Sequence, residues 1–107
     1  MSENIELPVE RLEAFEERLG VTLESLFVAK TSNNYVSING ELHTNEDLKI
    51  TQDIELVFSV YNASNLVVGV KKMNISSKSF LCFETFSCLV GECPEDMSKI
   101  RIYPKQN

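Results

Sequence analysis

Residues 53–61 read Asp-Ile-Glu-Leu-Val-Phe-Ser-Val-Tyr, and apolar and polar side chains alternate along them. The apolar positions are Ile54, Leu56, Phe58 and Val60. Only Val57 breaks the alternation. A period of two is typical of a β-strand with one buried face and one solvated face. The stretch therefore predicts a half-buried strand that runs from about Ile50 to Tyr61.

Several other segments have the same β character. They are Leu26–Thr31, Tyr35–His43, Leu66–Val70, Phe80–Ser87 and Lys99–Tyr103. Asn62–Asn65 is typical of a hairpin loop between two β-rich runs, and Pro104 is expected to end the last strand because proline donates no ladder hydrogen bond. No alternation of strands with helices is present, so the sequence predicts a two-layer antiparallel sandwich.

The segment Leu7–Gly20 has the periodicity of one amphipathic helix. Pro8 suits a first helical turn and Gly20 suits a helix C-terminus. Its apolar residues recur at spacings of three and four: Val9, Leu12, Phe15 and Leu19. Such a stripe has to be covered, either by the rest of the domain or by a contact with a partner chain or with a second copy in a homodimer. We therefore predict a helix and connection over residues 1–24 and a β-sandwich domain over residues 25–107.

The run Phe58-Ser-Val-Tyr-Asn62 resembles the F-x-L-Y-D signature of the FxLYD domain family. In that family the strand with the motif is followed by a polar turn and a hydrophobic strand, as Asn62–Val70 is here. A later Phe-rich strand in the family is similar to Phe80–Phe86. The resemblance implies an immunoglobulin-like fold and an accessory or binding role. The predicted fold is thus all-β, an immunoglobulin-like antiparallel β-sandwich of six or seven strands with one N-terminal α-helix.

The charge and composition disfavour several classes of function. Ten Lys and Arg against 16 Asp and Glu give a net charge of -6, which is unsuited to nucleic acid or anionic lipid. No window reaches the roughly 20 apolar residues of a membrane span. The first residues have neither the basic nor the apolar region of a signal peptide, so we expect a cytoplasmic protein.

The sequence contains no recognisable catalytic, metal or cofactor motif. His43 is the only histidine, and a Cys88–His43 pair has no local support. The spacing of Cys82, Cys88 and Cys93 lacks the close pair of a zinc site, and the glycines are too scattered for a phosphate loop. We therefore predict a protein that is not an enzyme and holds no cofactor or metal.

The candidate binding residues are apolar and lie at strand ends or on the helix. Tyr35, Tyr61 and Tyr103 share the phase opposite the inward residues, and they would form an aromatic patch if their strands were neighbours. Leu12 and Phe15 offer a second surface. We predict an interaction module for a protein partner. The alternative is an acidic inhibitor that occupies a basic groove of a nucleic-acid enzyme through Glu10, Glu13, Glu16 and Glu17.

Overall fold

The computed structural model describes residues 5–31, 33–45, 49–91 and 93–106. These residues form eight strands and one helix. In chain order they are β1 (Ile5–Glu6), β2 (Val9–Arg11), α1 (Glu13–Leu19), β3 (Val21–Lys30), β4 (Val36–Thr44), β5 (Ile54–Asn62), β6 (Val67–Ile75), β7 (Phe83–Val90) and β8 (Met97–Gln106). No helix among them is long and apolar enough to cross a membrane.

The strands form two four-stranded sheets that pack face to face. The first sheet has the order β1-β3-β4-β7 and the second has the order β2-β8-β5-β6. The prediction of an all-β, two-layer sandwich is confirmed. Two of its details are wrong, because the described chain has eight strands rather than six or seven, and because β2 pairs with β8 in parallel.

The core lies between the sheets and is built from the alternating residues. In β4 and β5 the predicted inward residues are all buried: Val36, Ile38, Gly40, Leu42, Ile54, Leu56, Phe58 and Val60. From β8, Ile100 and Ile102 are buried as predicted. The rings of Phe58 and Phe86 lie 5.8 Å apart and join the second sheet to the first. β5 lies centrally in the second sheet, between β8 and β6.

The N-terminal segment differs from the prediction of a single helix over Leu7–Gly20. Only Glu13–Leu19 is helical, and Gly20 ends it with a left-handed φ of 69° as expected. Val9 instead pairs with Ile100 in the parallel β2–β8 ladder, and the Pro8 carbonyl accepts a hydrogen bond from the Ile100 N–H at 3.0 Å. The ladder partner is distant in sequence, so local periodicity could not reveal it. The predicted division between residues 24 and 25 falls inside β3.

The strand bounds are also shifted in the second half of the chain. β6 is one continuous strand, β7 extends to Val90, and β8 continues through Pro104 to Gln106. The prediction that Pro104 ends the last strand is wrong, because Pro104 lies beyond the part of β8 that pairs with β2. β2 ends at Arg11, opposite Ile102. Beyond that point β8 has β5 as its only strand partner in the described chain, so the missing N–H leaves the ladder intact. The predicted loop over Thr44–Lys49 lies partly outside the described residues.

The predicted hairpin at Asn62–Asn65 is confirmed. The Asn62 side-chain oxygen accepts hydrogen bonds from the N–H groups of Ser64 and Leu66, both at 3.0 Å. Asn65 adopts a left-handed φ of 66°, which asparagine tolerates better than most residues. The hydrogen bonds of Asn62 and the backbone conformation of Asn65 fix how β6 folds back on β5.

Candidate functional site

Strand β7 lies at the edge of the first sheet, and β4 is its one strand partner among the residues that the structure describes. The Thr44 N–H donates to the Cys82 carbonyl at 3.2 Å, which sets the phase of this antiparallel ladder. Every second residue counted from Cys82 therefore directs its backbone N–H and C=O groups toward β4. These residues are Glu84, Phe86, Cys88 and Val90. The backbone groups of Thr85, Ser87 and Leu89 consequently point away from the sheet, at its free edge.

The other three sheet edges carry features that discourage pairing with another chain. β1 and β2 are only two and three residues long. β6 has a bulge next to Tyr61 and the exposed Lys71 and Lys72. Short strands, bulges and lysines are the usual ways to protect an edge. β7 has eight residues and contains no lysine, arginine or proline. Within the described chain it is thus the edge most open to a further strand.

Exposed apolar side chains accompany this free edge. Phe83 is 49% exposed and Leu89 is 54% exposed, and both lie on the outer face of the first sheet. Leu81, just before the strand, is 60% exposed. Phe27 of β3 is exposed on the same face, where Asn39 of β4 lies between it and Ser87 of β7. We call the free edge of β7 with Leu81, Phe83 and Leu89 the β7 surface. An exposed apolar strand of this kind is typical of an interaction site.

A histidine with two carboxylates borders the β7 surface. His43 stacks on Phe83 with ring centroids 5.2 Å apart. Its Nε2 lies 2.9 Å from Glu41 and its Nδ1 lies 3.5 Å from Glu24. These contacts fix the imidazole beside Phe83 and give this end of the β7 surface an acidic margin.

The structure does not bring His43 and Cys88 together as a catalytic pair. In the β4–β7 ladder His43 is opposite Phe83, whereas Cys88 is opposite Ile38. The two side chains lie on opposite faces of the sheet and roughly 17 Å apart along it. Burial also raises the pKa of the Cys88 thiol, which disfavours the reactive thiolate. Among the residues described, no group of three or more His, Cys, Asp or Glu side chains could hold a metal ion.

The three predicted tyrosines do not form one patch. Tyr35 directly precedes β4 of the first sheet, and its ring lies against Gly91. Tyr61 and Tyr103 share the outer face of the second sheet, opposite Lys99 and Val57 respectively. The Tyr61 ring has Lys99 Nζ and the Arg101 guanidinium each 5.1 Å from its centroid.

The predicted Leu12–Phe15 surface adjoins Tyr103. Leu12 is half-buried at the start of α1, and Phe15 is 38% exposed. The Phe15 and Tyr103 rings meet edge to face with centroids 5.5 Å apart. α1 itself packs against β3 and β8 of its own domain. The helix and the second sheet thus contribute to one mixed aromatic and charged surface.

Two of the four glutamates of the acidic-inhibitor alternative are engaged within the protein. Glu10 accepts hydrogen bonds from Arg101 at 2.6 Å and Lys99 at 3.3 Å, which lower its pKa. Glu16 is buried and ion-paired with Arg11 at 2.6 Å. This leaves Glu13 and Glu17 as the exposed members of the set. A single acidic face of four carboxylates is therefore not present.

The residues of the β7 surface are not among the binding residues predicted from the sequence. The available signal is that β7 has apolar residues on both phases: Phe86, Cys88 and Val90 on one, Phe83 and Leu89 on the other. Apolar residues on both phases indicate either a strand buried on both faces or one exposed apolar face. The fold decides between these two possibilities. No element covers the outer face of β7 in the described chain, so this strand has one exposed apolar face.

Comparison of the chain with family models, with curated proteins and with solved structures found no match. The likeness to FxLYD domains accordingly depends on the residues of the Phe58–Asn62 motif and the strands around it.

Proposed function

We propose that this chain is a non-enzymatic protein-interaction module that binds its partner by strand addition at β7. The observation that supports this most strongly is the free edge of β7 with its exposed Phe83 and Leu89. In strand addition the backbone of the edge provides hydrogen bonds and the flanking side chains provide specificity. The mixed surface with Tyr61, Tyr103 and Phe15 is a second contact region in this proposal.

We further propose that the domain is immunoglobulin-like and akin to FxLYD domains. The orders β3-β4-β7 and β8-β5-β6 correspond to A-B-E and F-C-C′ of an immunoglobulin variable domain. The parallel strand β2 takes the place of strand G beside F. In addition, the Phe58–Asn62 motif ends β5 and leads through a tight hairpin into β6. Both features support a scaffold role rather than a catalytic one.

The cytoplasm is the compartment that we propose for this function. Cys82, Cys88 and Cys93 are all free thiols, and Cys82 is exposed. An exposed free thiol is compatible with a reducing compartment, where disulfides rarely persist.

Site-specific photo-crosslinking in the cells that make the protein tests this function. Benzoylphenylalanine at Ser87 on the free edge is compared with the same residue at Ser64, which is exposed in the β5–β6 hairpin. We expect one discrete polypeptide adduct from position 87 and none from position 64. Mass spectrometry should map the adduct to an extended segment of the captured chain.

A second variant tests whether the strand edge itself is required. With the crosslinker moved to Leu89, Ser87→Pro removes one free N–H and should abolish the adduct. Equal labelling from positions 87 and 64, no adduct at all, or an adduct that survives Ser87→Pro would each overturn the proposal.

A further inference from the structure

We infer that the partner strand at β7 is β7 of a second copy, paired antiparallel about a two-fold axis at Phe86. This inference rests on the proposed function and names the partner at the same edge. Three properties of β7 support it: the phase of its backbone groups, the order of its exposed side chains, and the charge near its two ends.

The phase of β7 limits the registers that a two-fold pair can adopt. Thr85, Ser87 and Leu89 carry both the free backbone groups and the outward side chains. A pairing that keeps the two outer faces continuous must place these residues opposite one another. The axis therefore passes through a residue and not between two residues. Thr85, Phe86 and Ser87 are the central candidates.

The order of the exposed side chains favours the axis at Phe86. With that axis, Phe83 of each copy is opposite Leu89 of the other, so this pair occurs at both ends of the ladder. Thr85 of each copy is opposite Ser87 of the other. The exposed apolar side chains thus cover one another, and the hydroxyls meet at the centre, where such cross-strand pairs are favourable. An axis at Thr85 or Ser87 would instead place Phe83 opposite Ser87 or Gly91.

Charge complementarity supports the same register. An axis at Phe86 places Glu84 opposite Cys88 of the second copy. Lys71 lies in β6, a strand of the second sheet that contacts β7. Burial raises the pKa of the Cys88 thiol, and the charge of Lys71 lowers it. Glu84 of each copy would therefore approach Lys71 of the other. Like charges would not meet at this position.

Cysteine crosslinking in solution tests the register directly. The background is Cys82→Ser, which removes the exposed native thiol. Directly opposed antiparallel residues have Cα atoms about 5 Å apart, within the range of a disulfide, whereas diagonal residues are farther apart. We expect a disulfide dimer under mild oxidation only when Thr85→Cys and Ser87→Cys chains are mixed. Rapid crosslinking of Thr85→Cys alone, or of Ser87→Cys alone, would place the axis elsewhere and overturn the inference.

A charge exchange provides an independent readout that requires no crosslink. Glu84→Lys and Lys71→Glu should each raise the dimer dissociation constant by about tenfold or more, measured by sedimentation. The double variant should recover dimerisation. Circular dichroism and thermal melting of each variant establish that the fold is retained. Failure of the double variant to recover, with the fold intact, would contradict the inference.

The two proposals fail in distinguishable ways. A wild-type chain that stays monomeric in light scattering, while its crosslinker at Ser87 captures a different polypeptide, overturns the dimer and leaves the proposed function standing. A dimer that Ser87→Pro does not weaken overturns the β7 pairing. If Ser87→Pro affects neither dimerisation nor partner capture, both proposals are wrong.

Discussion

Glu16 is a buried charge that connects three elements of the N-terminal half. It is 3% exposed, and its carboxylate accepts hydrogen bonds from Arg11 Nη2 at 2.6 Å and Arg11 Nε at 3.1 Å. The N–H of Leu23 donates to the same carboxylate at 3.1 Å. The side chain thereby ties α1 to β2 and to β3. A buried charge is tolerated when it is paired and hydrogen-bonded in this way.

Loss of the Glu16 charge should destabilise the fold. We expect Glu16→Gln to lower the free energy of unfolding by about 2 kcal/mol, because the charge-assisted bonds to Arg11 are lost. Urea unfolding measures this value. Glu17→Gln, which removes an exposed carboxylate of the same helix, is the control and should change stability by less than about 0.5 kcal/mol. Equal effects of the two variants would contradict this role of Glu16.

Asp53 makes the stability of the fold depend on pH. Its carboxylate accepts hydrogen bonds from the Ser77 N–H at 2.8 Å and the Ser77 hydroxyl at 3.0 Å. The backbone bond, followed by the hydroxyl bond, lowers its pKa from an ordinary value of 3.8. The folded pKa is below the unfolded one, so the bonds stabilise the fold above the unfolded pKa. This contribution is lost as the pH falls through the folded pKa.

Asp53→Asn should therefore differ from the wild type most at neutral pH. We expect the melting temperature of the variant to lie below that of the wild type at pH 7, and the two curves to converge as the pH falls below 3.8 and through the folded pKa. Glu13→Gln matches the change in net charge, so the difference between the two variants isolates the Ser77 interaction. Curves that stay parallel over the whole range would show that the Ser77 bonds do not act as described.

At the scale of elements, the bulge in β3 stores backbone strain at Ser25. The register to β4 shifts between Glu24 and Phe27, and Ser25 adopts a positive φ of 54°. We expect Ser25→Gly to stabilise the protein by about 1 kcal/mol, because glycine adopts this conformation without steric cost. Ser37→Gly in the regular part of β4 is the control and should destabilise by a similar amount. Effects of the same sign at both positions would contradict strain at the bulge.

The central strands could be predicted from sequence, whereas the N-terminal strands could not. Residues 36–42 and 54–60 carry apolar side chains at every second position because one face of each strand lies in the core. This pattern is a local property of the chain. The positions of Val9 and Leu12 are compatible with one helical stripe. They are equally compatible with a short strand that is followed by the start of a helix. The choice is made by the Val9–Ile100 pairing across the whole domain. Sequence periodicity contains no information about such a distant partner.

The candidate site was harder to predict than the fold because it depends on the strand order. Tyr35 and Tyr61 have the same predicted phase, yet Tyr35 leads into β4 of the first sheet and Tyr61 lies in β5 of the second. Pro104 would end a strand with partners on both sides, but at Pro104 β8 pairs only with β5 among the described residues. Likewise, Phe83 and Leu89 are exposed because no element covers the outer face of the first sheet at β7 in the described chain. Each outcome follows from the arrangement of the sheets rather than from a local pattern.

For the whole molecule, the uneven protection of the sheet edges is the feature that bears on function. Two edges are formed by very short strands and a third carries lysines and a bulge. The fourth, β7, exposes apolar side chains beside free backbone groups. An open edge of this length offers unpaired N–H and C=O groups to a strand of another chain. In the proposed function the sandwich is a scaffold that presents β7.

Residue-resolved amide hydrogen exchange along β7 tests this account most directly. In a sample that light scattering shows to be monomeric, we expect alternation: slow exchange at Glu84, Phe86 and Cys88, and fast exchange at Thr85, Ser87 and Leu89. When the partner strand is bound, the fast amides should become slow. Uniform protection along β7 in the monomer, or fast exchange at Ser87 that persists in the complex, would contradict a free edge that binds by strand addition.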